Sequence, residues 1–576
     1  MTTIFDRPEH FAQDALRGYA AIYGRYVKAV PGGVLRSTPR AARKVALVVG
    51  GGSGHYPAFA GYVGEGMADA AVAGDVFASP STAAVARICR LAERKAGILL
   101  GYGNYAGDVL NFGLAAERLR AEGIDVRVLP VTDDVASASP EEHLRRRGIA
   151  GDLVVFKLAG AAAEEGRDLD AVEALAKHAN RRTVSFGVAF GGCTLPGAAG
   201  PLFSVEKGRM ALGLGIHGEP GIAEQALVPA RDLAALLVDR LLAERPDGTR
   251  KVAAVLNGLG ATKYEELFGL WTHVSARLES AGLEVVLPEV GEYVTSLDMQ
   301  GCSLTLLWLD EALERLWRAP CETAVLTRRE GHRLADEIVD EAEADLTLPP
   351  SSEAGRQAGR RIVALIGALA AALSVAEEAL GRLDAQAGDG DHGQGMARGS
   401  SAARDAARAA LSAGAGARSV LAMAGDAWAD RAGGTSGALW GLMLRAWSNA
   451  LSDEAAPEPA AVADGARQAL EAVMRLGGAR PGDKTLVDAL VPFVETLERE
   501  ASAGQPLDEA WAKAAQAAEA AAVATASLTP RLGRARPIAA RSLGHRDAGA
   551  VSLALCATAV GKVLARPLRS RNDRSF

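Results

Sequence analysis

Leu348-Pro349-Pro350-Ser351-Ser352 interrupts the 576-residue sequence past its middle, and the two sides of it read differently. Consecutive prolines remove backbone donors and fix φ, so no helix continues through them. The stretch before them, Arg328–Glu343, is dense in charge. Together these features read as a linker, 331–354, between a first domain at 1–330 and a second at 355–576. A chain this long is expected to divide into more than one core.

Upstream, short apolar and β-branched runs recur at Val45–Val49, Gly97–Leu100, Val126–Val131, Leu153–Phe156, Thr183–Val188, Val252–Leu256, Val285–Leu287 and Leu304–Leu309. Helical stretches such as Ala83–Lys95 and Ala171–Ala179 lie between them. Strands alternating with helices predict mostly parallel sheets covered by helices. The glycine-rich Gly187–Pro201 breaks the order and predicts two sheets. Downstream the strand signals stop. Ala, Leu and Arg dominate, with helical periods at Gly355–Gly381, Ala402–Ala413, Ala460–Arg475 and Leu507–Ala524. The fold class is therefore multidomain: an N-terminal α/β domain of two lobes and a C-terminal all-α domain. Composition does not choose between a helical bundle and a barrel.

A net charge of −7 with no long basic run argues against a nucleic-acid partner. The N-terminus lacks the basic-then-apolar order of a signal peptide. The apolar stretch Ala548–Val560 has the length of a buried helix and falls short of a membrane span, so no membrane association is expected. The five cysteines are scattered, odd in number and without a C-x-x-C pair. That suits a cytoplasmic protein with neither disulfide framework nor zinc.

Leu383-Asp384-Ala385-Gln386-Ala387-Gly388-Asp389-Gly390-Asp391-His392-Gly393 carries the densest chemistry. In extended backbone Asp389 and Asp391 face one side, and Asp384, at the end of an apolar helix, can reach the same point. Three carboxylates so close repel unless a cation sits among them, and hard oxygen ligands select Mg²⁺ or Ca²⁺. An EF-hand loop starting at Asp389 needs Gly and Glu where Gln394 and Ser400 stand, so Mg²⁺ with a nucleotide is the better reading. The alternative is a glycine-rich turn whose aspartates cap helices.

In the first half, Gly50-Gly51-Gly52-Ser53-Gly54-His55 follows a strand. It has no Gly-Lys-Ser/Thr and lacks the third glycine of a dinucleotide fingerprint. It reads as a turn that exposes amides, Ser53 and His55 at the carboxyl end of a strand, where open α/β sheets bind ligands. Asp108 reads as a loop aspartate. His217, in Leu214-Gly215-Ile216-His217-Gly218-Glu219-Pro220-Gly221, sits among glycines with little bulk expected around it. A lone histidine is more often a surface or core residue. Gly433-Gly434-Thr435-Ser436-Gly437 precedes a helical run at Ala438–Leu444, where free amides and hydroxyls suit an anion.

"LDAQAGDGDHGQGM" (383–396) resembles the nucleotide domain of dihydroxyacetone kinases. "GGGSGHYPAFAGYVGEGM" (50–67), "GDVFASPS" (74–81), "GNYAGDVLNFGLA" (103–115), "LGLGIHGEPG" (212–221) and "GGTSGALWG" (433–441) match the same family in the same order. The resemblance implies an ATP-dependent ketose kinase: a two-lobed α/β substrate domain, a closed barrel of antiparallel helices for the nucleotide, and a homodimer. It implies that Gly52, Ser53, Gly54, His55 and Asp108 contact the sugar, with His55 and Asp108 positioning and deprotonating its hydroxyl. His217 adds to the carbonyl as a covalent anchor. Asp384, Asp389 and Asp391 hold Mg²⁺. His392, Gly393, Gln394, Gly395, Thr435, Ser436, Gly477, Thr485, Leu486, Arg534, Asp547, Ala548 and Gly549 touch ATP. Two other activities go with the resemblance: an FAD-splitting, cyclic-FMN-forming lyase, and a non-enzymatic sugar sensor.

The sequence departs from the family where the sugar should lie. Gly103 replaces a lysine, and Tyr56 and Phe59 replace a glutamate and a histidine. Read literally, Gly103 leaves a gap and the two aromatics wall it. That predicts a preference for a four-carbon ketose, erythrulose, over dihydroxyacetone.

Overall fold

The computed structural model describes residues 2–219, 221–329, 348–532 and 539–566. Arg534 and most of the expected linker lie outside them. The chain divides into two compact units, Met1–Asp336 and Glu337–Phe576.

The first unit holds two large sheets. One is built from β1 (Val27–Val30), β2 (Gly33–Arg36), β3 (Lys44–Ser53), β4 (Ala70–Val76), β5 (Lys95–Gly103) and β6 (Val126–Val131), in the order β1-β2-β4-β3-β5-β6. Its β4, β3, β5 and β6 run parallel. The other uses β7 (Thr183–Ala189), β8 (Arg209–Leu212), β9 (Ala223–Ala226), β10 (Lys251–Gly258), β11 (Glu284–Val285), β12 (Glu289–Gly291) and β13 (Gly301–Leu309). Here only β11 and β12 run parallel to β10; the pairs β10–β13, β13–β7, β7–β8 and β8–β9 are antiparallel. The expectation of mostly parallel sheets thus fails for the second sheet. Its β7, β8 and β9 are joined by loops, and antiparallel strands need no helical crossover. A short ribbon, β14 (Cys321–Glu322) and β15 (Thr327–Arg328), ends the unit.

Its helices are α1 (Phe11–Ile22), α2 (Thr82–Ala92), α3 (Ala106–Ala121), α4 (Gly151–Glu164), α5 (Leu169–Arg181), α6 (Ala230–Leu242), α7 (Tyr264–Ser280) and α8 (Glu311–Arg318). Leu153–Phe156, expected as a strand, lies inside α4. Every residue from Gly151 to Ala163 is buried, so the run is apolar on all sides and periodicity cannot tell helix from strand. The helix packs against β3, β5 and β6 of one sheet and β7 of the other. Its Leu153 and Phe156 share a core with Leu47, Leu99 and Leu129 of the first sheet and Val255 and Leu307 of the second. Asp133 fixes its start by accepting the amides of Ile149 (2.9 Å) and Gly151 (2.8 Å).

The second unit is all helical: α9 (Glu353–Asp384), α10 (His392–Ser412), α11 (Ala417–Ala432), α12 (Gly434–Ser448), α13 (Pro459–Gly477), α14 (Val487–Ser502), α15 (Leu507–Ala524), α16 (Ala539–Ser542) and α17 (Ala548–Leu564). Residues 353 and 354, assigned to the linker from the sequence, are already helical, and Ser352 Oγ caps α9 by accepting the Gly355 amide (3.0 Å). Each of α9 to α15 packs on the next, α15 packs on α17, and α17 returns to α9. That closes a barrel around an apolar cavity of about 430 Å³, lined by residues such as Ile366, Trp440, Trp447, Phe493 and Leu553. Small residues permit the close contacts: a Cβ at Gly425 would lie 2.9 Å from the Gly441 carbonyl oxygen. By length and composition α9 is long and apolar enough to cross a membrane, which the reading of Ala548–Val560 overlooked. Its Ile366, Leu369, Leu373 and Leu380 are buried in the barrel core.

Candidate functional site

Two clusters of reactive side chains form, one in each unit. The first begins at the glycine run, which proves to be the end of β3 rather than a turn. Neighbours occupy the space side chains would need: a Cβ at Gly51 would run into the Phe59 ring, and one at Gly52 would lie 2.8 Å from the Ala78 nitrogen. The chain bends only at Gly54, whose φ of +97° suits glycine. Ser53 Oγ donates to the Gly74 carbonyl (2.6 Å). The bend buries His55.

His55 and His217 meet there. His55 Nδ1 lies 2.8 Å from the Thr295 carbonyl oxygen, which can only accept, so this nitrogen carries a proton. His217 Nδ1 lies 3.1 Å from Glu219 Oε1, and the His217 amide donates to Glu219 Oε2 (3.0 Å). Burial alone would raise the Glu219 carboxyl, but its hydrogen bond to His217 and that ring's charge hold it down at about 2. It is a carboxylate and takes a proton from His217 Nδ1. The two Nε2 atoms lie 3.0 Å apart, which needs one proton between them. The pair therefore shares three protons and one positive charge, balanced by Glu219. A neutral pair would set two lone pairs against each other. Burial, then the neighbouring His217, push the His55 ring down to about 3.

Aromatic rings wall the pair. Phe77 stacks on His55 (5.0 Å between centroids) and stands edge-on to His217 (5.3 Å). Tyr105 stands edge-on to His217 at 4.6 Å. The expectation of little bulk around His217 is thus overturned, because the glycines make room for neighbours: a Cβ at Gly215 would strike the Glu219 carboxylate. Asp108 lies in the first turn of α3, not in a loop, and is buried. Ser79 Oγ donates to it (2.7 Å). Burial raises its carboxyl, with the Ser79 bond and nearby His217 opposing.

Two expectations about the sugar pocket fail. Tyr56 is 49% exposed and turns to Tyr19 and Tyr23, while Phe59 lies beneath Gly51 against Tyr62 and Phe156. Tyr56 and Phe59 line a cavity with Gly51–Gly54, whereas the rings against the histidine pair are Phe77 and Tyr105. Nor does Gly103 open a gap: a Cβ there would meet the Tyr105 ring at 3.3 Å and Asp152 Oδ2 at 3.4 Å.

The second cluster lies on one rim of the barrel. Asp384 ends α9, and its carboxylate accepts the Gly390 amide (2.9 Å). Asp384, Asp389 and Asp391 each place a ligand oxygen within 4.8 Å of the others. Asp391 occupies the N-cap position of α10 but makes no capping hydrogen bond, which weakens the reading of these aspartates as caps. Gly393, Gln394 and Gly395 form the first turn of α10. A side chain at Gly393 would strike the Glu377 carbonyl, so glycine lets α10 start against α9.

His392 ties the rim together. Its Nδ1 lies 3.3 Å from Ser436 Oγ at the start of α12, and its Nε2 3.0 Å from Ser552 Oγ near the start of α17. Burial lowers its pKa. The α12 helix starts at Gly434 rather than Ala438, so exposed Thr435 and half-buried Ser436 stand in its first turn. Asp547 caps α17 through the Ala550 amide (2.7 Å), with Ala548 and Gly549 following. Burial, with Asp488 and Asp384 nearby, raises Asp547 to about 6. Leu486, just before α14, packs on Gly549, and the Thr485 amide donates to Asp488 (2.7 Å). Gly477 ends α13. Starts of α10, α12, α14 and α17 thus gather beside the three carboxylates. Helix N-termini carry free amides and partial positive charge, which suits phosphates.

Sequence reasoning missed Phe77, Ser79, Tyr105, Glu219, Thr295, Asp152 and Ser552 as parts of these clusters. The first four lie within quoted motifs and were readable there. Thr295 and Ser552 reach their histidines across 240 and 160 residues of sequence, and no local pattern marks them.

Residues 17–325 match the Dak1 domain and residues 386–562 the DAK2 domain. The sequence is 53% identical to the D-erythrulose kinase of Mycolicibacterium smegmatis over 99% of this chain and 100% of that protein. It is 52% identical to the L-erythrulose kinase of Pectobacterium atrosepticum over 98% of this chain and 97% of that protein. The crystal structure of the dihydroxyacetone kinase from C. freundii in complex with AMP-PNP and Mg²⁺ matches with a TM-score of 0.60 at 32% identity, covering 97% of this chain and 99% of that one.

Proposed function

The chain belongs to the dihydroxyacetone kinase family, and from that premise we propose that it phosphorylates a terminal hydroxyl of a short-chain ketose held through its carbonyl on His217. It is a kinase that uses ATP and Mg²⁺. Erythrulose and dihydroxyacetone are the substrates we put forward. The relatives at 52–53% identity carry kinase names, which favours this reading over the lyase and the sensor.

The observation that carries the phosphoryl half is the carboxylate cluster at a rim of helix N-termini. Asp384, Asp389 and Asp391 fit Mg²⁺: three hard oxygen donors whose ligand atoms lie within 4.8 Å of one another. When bound, the ion neutralises phosphate charge and bridges phosphate oxygens. Around it, the amides and hydroxyls of Gly393–Gly395, Thr435 and Ser436 would take phosphate oxygens, while Gly477, Thr485, Leu486 and the 547–549 turn would hold the rest of the nucleotide. Arg534 is proposed to join them.

In the first unit His217 would act through Nε2. With the shared proton on His55 Nε2, the His217 Nε2 lone pair attacks: the Nε2–carbon bond forms, the carbonyl π bond opens, and the oxygen takes that proton from His55, leaving the positive charge on the alkylated His217 ring. The charge on the two rings is unchanged, and Glu219 balances it before and after. Attack requires His217 to give up its contact with His55. Asp108, buried with its basicity raised, would accept the proton of the hydroxyl that is phosphorylated. Gly52, Ser53 and Gly54 line the approach.

A cytoplasmic homodimer is the form we propose. Support for the compartment comes from the five cysteines, all buried as free thiols. The test is a panel of C3 and C4 ketoses, aldoses and glycerol with Mg·ATP. Phosphorylation of ketoses above all other acceptors is the expected result; preference for glycerol would refute the carbonyl anchor.

A further inference from the structure

One buried acid has no part in the account above. Asp152 stands in the first turn of α4, wholly enclosed, and neither carboxyl oxygen has a hydrogen-bond partner among the described residues. The Tyr105 hydroxyl, also enclosed, has none either. Both residues border the same glycine, Gly103, where a side chain would meet the Tyr105 ring at 3.3 Å and Asp152 Oδ2 at 3.4 Å. Asp133, the nearest carboxylate on the same segment, is already committed to the amides of Ile149 and Gly151. A buried polar group without a partner is destabilising, and such groups are rare in folded proteins. Two on residues that border Gly103, one of them on a ring that touches His217, point to a ligand that completes them.

Burial, reinforced by Asp133 and Asp108, raises the Asp152 carboxyl well above the usual range, which favours its neutral form. A neutral carboxyl offers one donor and an acceptor, and a tyrosine offers a donor. One alcohol can satisfy both, accepting from Tyr105 and donating to Asp152. Dihydroxyacetone has only its two primary hydroxyls, one of which is phosphorylated. A four-carbon ketose adds a secondary hydroxyl next to the carbonyl, on a stereocentre.

Resting on the ketose kinase reading, we propose that Asp152 and Tyr105 are specificity-determining residues that bind the secondary hydroxyl adjacent to the substrate carbonyl. A sugar joined to His217 reaches them by shifting the Tyr105 ring, which lies edge-on to that imidazole. The site then favours a four-carbon ketose and one of its enantiomers. A site built to bind a hydroxyl discriminates against the analogue lacking it far more strongly than an apolar wall does.

The experiment measures kcat/KM for D-erythrulose, L-erythrulose and dihydroxyacetone in the full-length enzyme and in Asp152→Leu, Asp152→Asn and Tyr105→Phe. Wild type should favour one erythrulose enantiomer. Asp152→Leu should lower the ratio of that enantiomer to dihydroxyacetone by about 100-fold or more and level the two enantiomers. Asp152→Asn, which keeps a donor and an acceptor, should restore most of both ratios, and Tyr105→Phe should lower them about tenfold. If Asp152→Leu does not fold, the Tyr105→Phe ratios decide alone. Ratios within about threefold of wild type in all soluble variants would overturn the proposal and leave the kinase reading standing. Failure of wild type to phosphorylate any ketose would instead overturn the reading on which it rests.

Discussion

In the first unit each ring nitrogen of His55 and His217 already has a partner, and a carboxylate held at about 2 balances the charge they share. In the second, three carboxylates crowd within 4.8 Å with Asp389 and Asp391 exposed. One site is complete in itself and must break a contact to react. The other is a set of like charges that becomes favourable when a cation and an anion arrive. On the function proposed here the difference follows from the substrates. A neutral ketose would bring no charge and need a preorganised nucleophile. A nucleotide would bring several charges, so its site could be open and built from helix ends.

If that division holds, damage to one site should spare the other. The largest effect is expected from Asp389→Asn. It should lower kcat by about the 10³–10⁵-fold that one transition-state charge is worth in phosphoryl transfer. Ketose binding, followed by calorimetry, should stay within about twofold. Loss of ketose binding in that variant would mean the sites are not separate.

Asp108→Asn removes the proposed base and should lower kcat about 10²–10⁴-fold. The KM for ATP should barely change in steady-state assays, and a large rise would place Asp108 near the nucleotide.

Glu219→Gln takes away the counter-charge of the histidine pair and should cost about 10–100-fold in kcat/KM, as loss of an orienting partner commonly does. It also has a stability signature. A carboxyl held at about 2 against an ordinary 4.5 stabilises the fold above pH 4.5 and loses that contribution as pH falls toward 2. Acid unfolding of Glu219→Gln should lack this component.

The smallest effect concerns Asp547. Its pKa is raised, so its sign is opposite: stability of the metal- and nucleotide-free protein should fall as pH rises from 3.8 to about 6, by up to about 3 kcal/mol. Asparagine also caps helices. Asp547→Asn should flatten that slope in denaturant titrations, and an unchanged slope would assign it to another group.

Much of this was legible in the sequence. The loss of strand signals in the second half and the motifs that carry the family resemblance are local features, and local features survive in a linear reading. Leu153–Phe156 was misread because a helix sandwiched between two sheets is buried on every face, which removes the helical period from its apolar pattern. The second sheet was misread because loops, not helices, join β7 to β9. Closure of the barrel came from the family resemblance alone, since composition and periodicity do not report α17 meeting α9 across nearly the whole unit. The side-chain directions of Tyr56 and Phe59 were the poorest inference. Residues near His55 in sequence turned away from the histidine pair, and Phe77 and Tyr105 stand against it.

The central claim, a sugar fixed covalently in one unit and phosphorylated by a metal–nucleotide site in the other, is tested most directly by ¹³C NMR of [2-¹³C]erythrulose bound to Asp389→Asn and to His217→Ala. The account predicts that with Asp389→Asn the labelled carbon moves from the ketone region to that of a tetrahedral carbon, with no phosphate ester formed. With His217→Ala it should remain a ketone. A tetrahedral signal that survives in His217→Ala, or one missing from Asp389→Asn at saturating sugar, would contradict it.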